Sequence, residues 1–220
     1  MSLMTYNLYI RSLGREKEFD EIDRTWEVMR KLKVPIDSSS YAHTISAFAS
    51  DSNTLRAVKC FEEMKKVGCT PNDVAISALL QCYLSSQDWY QAEKLYSEAK
   101  DSNWELGLRS LSVLMKICGA KGEFDRMMAL WDELKARKIA VDATFFSNIF
   151  GSLGSRAPRV TLFFYNEIPQ AGVGRGVNVL IKLLALFKGS LEYANPEDKQ
   201  AAMDLVRMLK ADPRLSSQPH

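Results

Sequence analysis

The chain has 220 residues, 46% of them hydrophobic and 25% charged, which is the ordinary composition of a folded globular protein and excludes disordered and fibrous classes. Lys and Arg number 29 and Asp and Glu 27, so the formal net charge of +2 excludes a strongly basic nucleic-acid coat but allows a local basic stripe. Gly and Pro are few, at 11 and 7, and this favours helices.

The sequence repeats itself every 35 residues. Apolar residues recur at this step, and so does a basic residue near the end of each repeat. A period of this length indicates a protein built from one supersecondary structure used many times. Large side chains mark the same position of the first four repeats: Trp26, Phe61, Tyr96 and Trp131.

Each repeat contains two apolar stripes with helical spacing. In the second repeat, Tyr41, Ile45 and Phe48 form the first stripe, while Ala57 and Phe61 begin the second. One pair of helices cannot bury both stripes, but stacked neighbouring pairs can. We therefore predict an all-α fold: a right-handed α-solenoid of about six 35-residue helix-turn-helix repeats.

The repeats follow one another from the start of the chain. We expect five tandem repeats within residues 3–176, beginning at residues 3, 38, 73, 108 and 143, with the fifth one residue short. Residues 177–210 are predicted to form a degenerate sixth repeat or a C-terminal capping pair, with helices at 177–188 and at about 199–210, separated by an insertion at 189–198. Residues 211–220 are expected to be a frayed tail.

Because the first repeat begins beside Met1 without a cap or a targeting peptide, we expect the chain to be a fragment, a processed form, or a chain docked onto something larger.

The chemistry-bearing residues give no catalytic or metal-binding pattern. Four cysteines form no C-x-x-C pair and only two histidines are present, so we expect buried or half-buried thiols, no metal and no cofactor. Carboxylate clusters fall in turns and at helix starts, where acidic residues are common, so we expect no enzyme activity. The most apolar stretch is too short to cross a bilayer, and no membrane insertion is expected.

Two segments resemble one repeat family. Residues 5–10, with the sequence TYNLYI, resemble the T-Y-N-x-L-I opening of a pentatricopeptide repeat, and residues 60–72 resemble the closing F-E-E-M-K-x-x-G-x-x-P-[DN] of that family. The resemblance implies an organellar RNA-binding protein of a mitochondrion or chloroplast that reads single-stranded RNA at about one base per repeat.

The resemblance also implies which residues contact RNA. In this family the fifth and last residues of a repeat contact the base, so Asn7 with Asp37 implies uracil, and Ser112 with Asp142 implies guanine. The second residue of a repeat is usually an aliphatic wedge between bases, and basic residues of the first helices line the groove. The remaining candidates on these grounds are Asn72, Val74, Ser77, Ser147, Arg11 and Lys116.

A purely structural interpretation of these residues stays open, because Asn, Ser and Asp also cap helices and fill turns. The first helices of the second and third repeats carry no Lys or Arg, which predicts a groove with a neutral middle.

Three functions follow from these observations. The first is single-stranded RNA binding in organellar RNA processing, stability or translation. The second is a protein–protein scaffold, such as a subunit of an organellar ribosome or another large complex, with little base readout. The third, a tetratricopeptide-like peptide binder, is disfavoured because those repeats have 34 residues.

Overall fold

The structure is a computed structural model that describes residues 2–174, 176–187 and 195–212. Residues 189–194 of the expected insertion (189–198) lie outside the described residues. So do residues 213–220 of the expected tail (211–220).

Within the described residues the chain forms twelve α-helices and no strand, which confirms the all-α prediction. No helix in this part of the chain is both long enough and apolar enough to cross a bilayer. In chain order the helices are α1 (Leu3–Glu16), α2 (Phe19–Lys31), α3 (Ser38–Ser50), α4 (Thr54–Lys66), α5 (Asp73–Ser86), α6 (Trp89–Asp101), α7 (Leu108–Lys121), α8 (Phe124–Ala136), α9 (Ala143–Leu153), α10 (Pro158–Gln170), α11 (Val177–Phe187) and α12 (Pro196–Lys210).

The contacts divide the chain into two compact units, Met1–Leu114 and Met115–His220, called here the N-terminal unit and the C-terminal unit. Helices α1, α3, α5, α7 and α9 begin at the first residues of the five expected repeats. The division into five repeats plus an atypical sixth stays a prediction.

The backbone carries the same period as the sequence. A residue with positive φ ends each of the helices α2, α4, α6 and α8, and these residues are Lys33, Gly68, Asn103 and Lys138. In each case the next N–H donates to a carbonyl five residues earlier, as Val34 N does to Met29 O at 2.9 Å. This hydrogen bond belongs to the Schellman motif, which satisfies the helix end and turns the chain toward the next repeat.

In the N-terminal unit, α3 packs against α1 on one side and α5 on the other, so consecutive first helices lie together. Gly14 allows α1 to approach α3 closely, since a Cβ at this position would lie 2.5 Å from Ala47 Cβ. The buried Trp26 of α2 donates its Nε1–H to Thr44 Oγ1 of α3 at 2.9 Å. The recurrent aromatic residue therefore joins one helical pair to the next.

The C-terminal unit uses the same device with a different partner. Trp131 of α8 is buried and donates its Nε1–H to Glu167 Oε2 of α10 at 2.8 Å. Its indole lies against the rings of Phe145, Phe146 and Phe164. A buried indole N–H needs such an acceptor, because leaving it without one costs about 1–3 kcal/mol.

One expected boundary, the start of the last helix, was wrong. Helix α12 begins at Pro196, ahead of the expected start near residue 199. The Asn195 side chain accepts a hydrogen bond from Glu197 N at 2.8 Å, and Pro196 occupies the first helical position, where its missing N–H is not needed.

The cysteine prediction is confirmed. All four cysteines are free, with Cys82 and Cys118 buried and Cys60 and Cys69 half-buried. Burial raises the pKa of the Cys60 thiol to about 12, which leaves it protonated and unreactive at neutral pH.

Replacing Gly14 with alanine should destabilise the N-terminal unit. Alanine gains about 0.5–1 kcal/mol over glycine within a helix, but overpacking against Ala47 costs about 1–3 kcal/mol, so the clash should prevail. The midpoint of urea unfolding measures the net loss. Gly174→Ala is the control, since nothing lies within 4 Å of its added Cβ. An unchanged midpoint for Gly14→Ala would contradict close packing of α1 on α3.

Candidate nucleic-acid interface

The fifth residues of the repeats lie on the first helices, and most of their polar groups are engaged within the protein. Ser77 Oγ donates to Val74 O at 3.1 Å, and Ser112 Oγ donates to Leu108 O at 2.6 Å, so both hydroxyl protons bond to the serine's own helix. Asn7 differs, because its Oδ1 is buried and has no hydrogen-bond partner among the described residues. A buried acceptor in this state is costly and is satisfied if a donor approaches.

The last residues of the repeats are helix caps. Asp37 Oδ1 accepts from Ser40 N at 2.8 Å, Asn72 Oδ1 from Ala75 N at 3.0 Å, and Asp142 Oδ1 from Phe145 N at 2.7 Å. These three side chains therefore cap helices in the protein, which is the structural role that the sequence analysis gave as the alternative to base contact. Their contact with a base stays a prediction.

One cap is supplied by the preceding repeat. Helix α7 follows Gly107, which has no side chain to cap it, and Asp73 of α5 takes this role. Asp73 Oδ1 accepts from Gly107 N at 2.8 Å and from Ser110 N at 3.0 Å. A Cβ on residue 107 would lie 2.7 Å from Asp73 Oδ2, so glycine is needed for this close approach. The carboxylate fixes the start of α7 and with it the position of Arg109.

The N-terminal unit contains a basic groove along its first helices. Its cavity is about 670 Å³ and lies between α1, α3, α5 and the start of α7. Arg11 and Arg15 of α1 line it with Arg109 of α7, while His43 and Val74 lie on the helices between them. Helices α3 and α5 carry no Lys or Arg, so the positive charge of the groove comes from α1 on one side of them and from α7 on the other.

The arginines of the basic groove are exposed, and no carboxylate of the described residues lies within ion-pair distance of Arg11, Arg15 or Arg109. Lys17 also lines the groove, but it pairs with Asp51 at 2.6 Å. Uncompensated guanidinium groups in a concave surface attract anions and donate hydrogen bonds to phosphate oxygens.

Several basic residues of the second helices form ion pairs instead. Arg56 pairs with Asp20 at 3.0 Å, and Lys65 pairs with Glu98 at 2.7 Å. Arg30 pairs with Glu63 of the next repeat. The near-neutral total charge therefore conceals a local difference: these three basic residues of the second helices are paired, while the three arginines of the basic groove have no carboxylate partner among the described residues.

His43 is half-buried in the basic groove. Burial is the largest cause that lowers the pKa of its imidazole, and the Arg11 guanidinium adds to it, while Asp37 acts in the opposite direction. The imidazole is therefore neutral at pH 7, with the positive charge of Arg11 nearby.

In the C-terminal unit, Ser147 is half-buried and is contacted by a lysine of the next first helix, while its contact with a base stays a prediction. Lys182 of α11 donates from Nζ to Ser147 O at 2.7 Å and to Ser147 Oγ at 3.2 Å. Lys116 of α7 is half-buried, and the pKa of its ammonium is lowered by burial and then by Lys182.

Of the residues at these sites, the sequence analysis missed His43, and its named candidates left out Arg15, Arg109 and Lys182, although each is a basic residue of a first helix. The signal for Arg15 was its spacing of four from Arg11, which places both on one face of α1. Lys182 gave no such signal, because its role depends on the approach of α11 to α9.

Family models of known repeat proteins match several parts of this chain. The family model for a pentatricopeptide repeat domain matches residues 25–85, and the model for the PPR repeat matches residues 4–34 and 109–139. The chain belongs to the pentatricopeptide-repeat family, as the resemblance predicted.

One relative in Arabidopsis thaliana is pentatricopeptide repeat-containing protein At4g04790, mitochondrial, which is 23% identical over 87% of this chain and 23% of its own length. The chain spans only 12% to 29% of the first curated relatives that it matches.

Solved structures confirm the solenoid fold. The crystal structure of pentatricopeptide repeat protein PPR10 in complex with an 18-nt psaJ RNA element matches all of this chain and 34% of that chain, with a TM-score of 0.62 and 17% identity. The pentatricopeptide-repeat domain of Arabidopsis thaliana protein-only RNase P 1, in complex with tRNA, matches with a TM-score of 0.54 and 12% identity over 93% of this chain and 96% of that chain.

The lowered pKa of His43 predicts that folding stability depends on pH. The folded state binds the imidazole proton less tightly than the unfolded state, whose pKa is near the ordinary value of 6.5. The contribution of neutral His43 is therefore complete above pH 6.5 and is lost as the pH falls below it. Between pH 7.5 and pH 5.5, about one unit on either side of the ordinary histidine pKa, the wild type should lose more stability in urea unfolding than His43→Gln does. Equal losses would show that His43 titrates normally.

Proposed function

We propose that this chain is a single-stranded RNA-binding module in which the first helices contact the RNA. The observation that carries the proposal is the basic groove, where Arg11, Arg15 and Arg109 have no carboxylate partner in the part of the chain that the structure describes, unlike Arg56 and Lys65 of the second helices. RNA presents one phosphate per nucleotide, and neutralisation of phosphates supplies much of the affinity for single strands. The RNA-bound relatives of the same fold support this choice of ligand.

Base contact is proposed for the fifth residues of the repeats. Asn7 is the strongest candidate, because its buried Oδ1 lacks a donor among the described residues. Rotation of the side chain toward a bound base would let this oxygen accept a hydrogen bond from N3–H on the Watson–Crick edge of uracil. Ser77 and Ser112 can still accept hydrogen bonds through their hydroxyl oxygens, while Val74 lies in the basic groove as an apolar contact for a base. The array binds rather than cleaves RNA in this proposal.

The proposed location is an organelle, and the process is RNA processing, stability or translation. Three Arabidopsis thaliana relatives carry the word mitochondrial in their names, which supports a mitochondrion without excluding a chloroplast.

A protein-scaffold function is the second candidate, and one observation favours it. Leu55 and Tyr90 have equivalent positions at the starts of α4 and α6, and their exposed fractions are 82% and 74%. Large apolar side chains that recur one repeat apart on a surface are suited to protein contacts. The two functions are compatible, since these residues lie on second helices and the basic groove lies on first helices.

The salt dependence of RNA affinity tests the first proposal. With a randomised single-stranded RNA library as the probe, the dissociation constant is measured at several salt concentrations for the wild type and for Arg11→Gln/Arg15→Gln. The double variant should bind more weakly, and the magnitude of the slope of log K against log salt should fall by about 1.4, since each of the two lost phosphate contacts on a single strand contributes about 0.7.

The matched control is Lys31→Gln/Lys66→Gln, which removes the same charge from exposed residues at the ends of α2 and α4. It should keep the affinity and most of the slope. If both double variants lose affinity equally, net charge rather than the basic groove attracts RNA. If the wild type does not bind at low salt, the scaffold function stands instead.

A further inference from the structure

The contact between Lys182 and Ser147 joins the first helices of two successive repeats in the C-terminal unit. Lys182 Nζ lies 2.7 Å from the backbone oxygen of Ser147 and 3.2 Å from its hydroxyl oxygen. Ser147 holds the fifth position of its repeat, where the family resemblance implied a base contact. The ammonium thus covers the serine and adds a positive charge at this point of α9.

Gly151 makes room for this ammonium. A Cβ on residue 151 would lie 3.1 Å from Lys182 Nζ, closer than such contacts normally are, so the ammonium would have to shift. Gly151 also stands 35 residues after Lys116, and Lys116 stands three such steps after Arg11. Lys182 therefore places a cation beside the one position of this row where the chain has glycine.

Two partly desolvated lysines then occupy one neighbourhood. Lys116 is half-buried, and its interaction with Lys182 disfavours its charged form. Two ammonium groups that repel each other are stabilised together when an anion binds between them. Lysine has only donors, so the pair can bind acceptor groups alone.

We propose that Lys182 binds a phosphate group of the RNA backbone, so that the fifth repeat holds the strand without reading a base through Ser147. An ammonium has three N–H donors, and two of those on Lys182 go to Ser147, so a third is left for a phosphate oxygen. Ser147 thus orients the ammonium instead of contacting the nucleotide. This inference rests on the proposed RNA binding and specifies one contact of that function.

The experiment uses a single RNA that the wild type binds, prepared with one neutral methylphosphonate linkage at each position in turn. The wild type should lose about tenfold in affinity at one linkage, the magnitude expected for a hydrogen bond to a charged group. Lys182→Met should bind the unmodified RNA about tenfold more weakly and should no longer respond to the methylphosphonate at that linkage.

Three further variants separate this contact from general effects. Lys199→Met removes an exposed lysine from α12 of the same unit and should match the wild type. Gly151→Ala should weaken binding because its Cβ displaces the ammonium, and alanine favours the helix, so the fold is retained. Ser147→Ala should leave the base preferences of a randomised library unchanged.

The outcomes distinguish the inference from the proposed function. If the wild type binds RNA and Lys182→Met shows the same affinity and the same methylphosphonate profile, the phosphate site is wrong and RNA binding stands. A changed base preference in Ser147→Ala would also overturn the site, because it would make Ser147 a base contact. If the wild type binds no RNA, both proposals fail together.

Discussion

A helical pair in this chain cannot bury its apolar stripes by itself, and the other features of the structure depend on this constraint. Trp26 is buried only because Thr44 of the next repeat accepts its N–H, and Trp131 is buried because Glu167 does the same. The stability of such an array comes from interfaces between neighbours rather than from one central core. The 35-residue period of apolar residues in the sequence reflects this need for each helical pair to pack against the next.

The same constraint determines which residues can bind a ligand. Stacking of first helix on first helix buries their apolar sides, as at Gly14 and Ala47. Beside this contact runs a row of positions at the 35-residue step that carries mostly polar and charged residues. Arg11 and Lys116 both belong to this row. Several basic residues of the second helices form ion pairs between repeats, such as Lys65 with Glu98, so their charge is not available to an anion. Among the described residues, the arginines of the basic groove have no such partner.

Most of the fold could be predicted from the sequence, because helical stripes and a constant period are local signals. The start of α12 was misplaced because the weight of an Asn195 cap followed by Pro196 was not recognised. The site was harder to predict. The capping roles of Asp37, Asn72 and Asp142 were a stated alternative, since these residue types commonly cap helices. The contacts of Asp73 with Gly107 and of Lys182 with Ser147 join residues 34 and 35 positions apart, and no local pattern specifies them.

The central claim is that RNA lies along the first helices, and photo-crosslinking tests it most directly. A bound RNA containing 4-thiouridine is irradiated, and the crosslinked peptides are identified by mass spectrometry. The account predicts crosslinks in peptides from α1, α3, α5 and α7, with Asn7 and Val74 among the residues that carry them. Crosslinks confined to α2, α4 and α6, or none at concentrations that saturate binding, would contradict it.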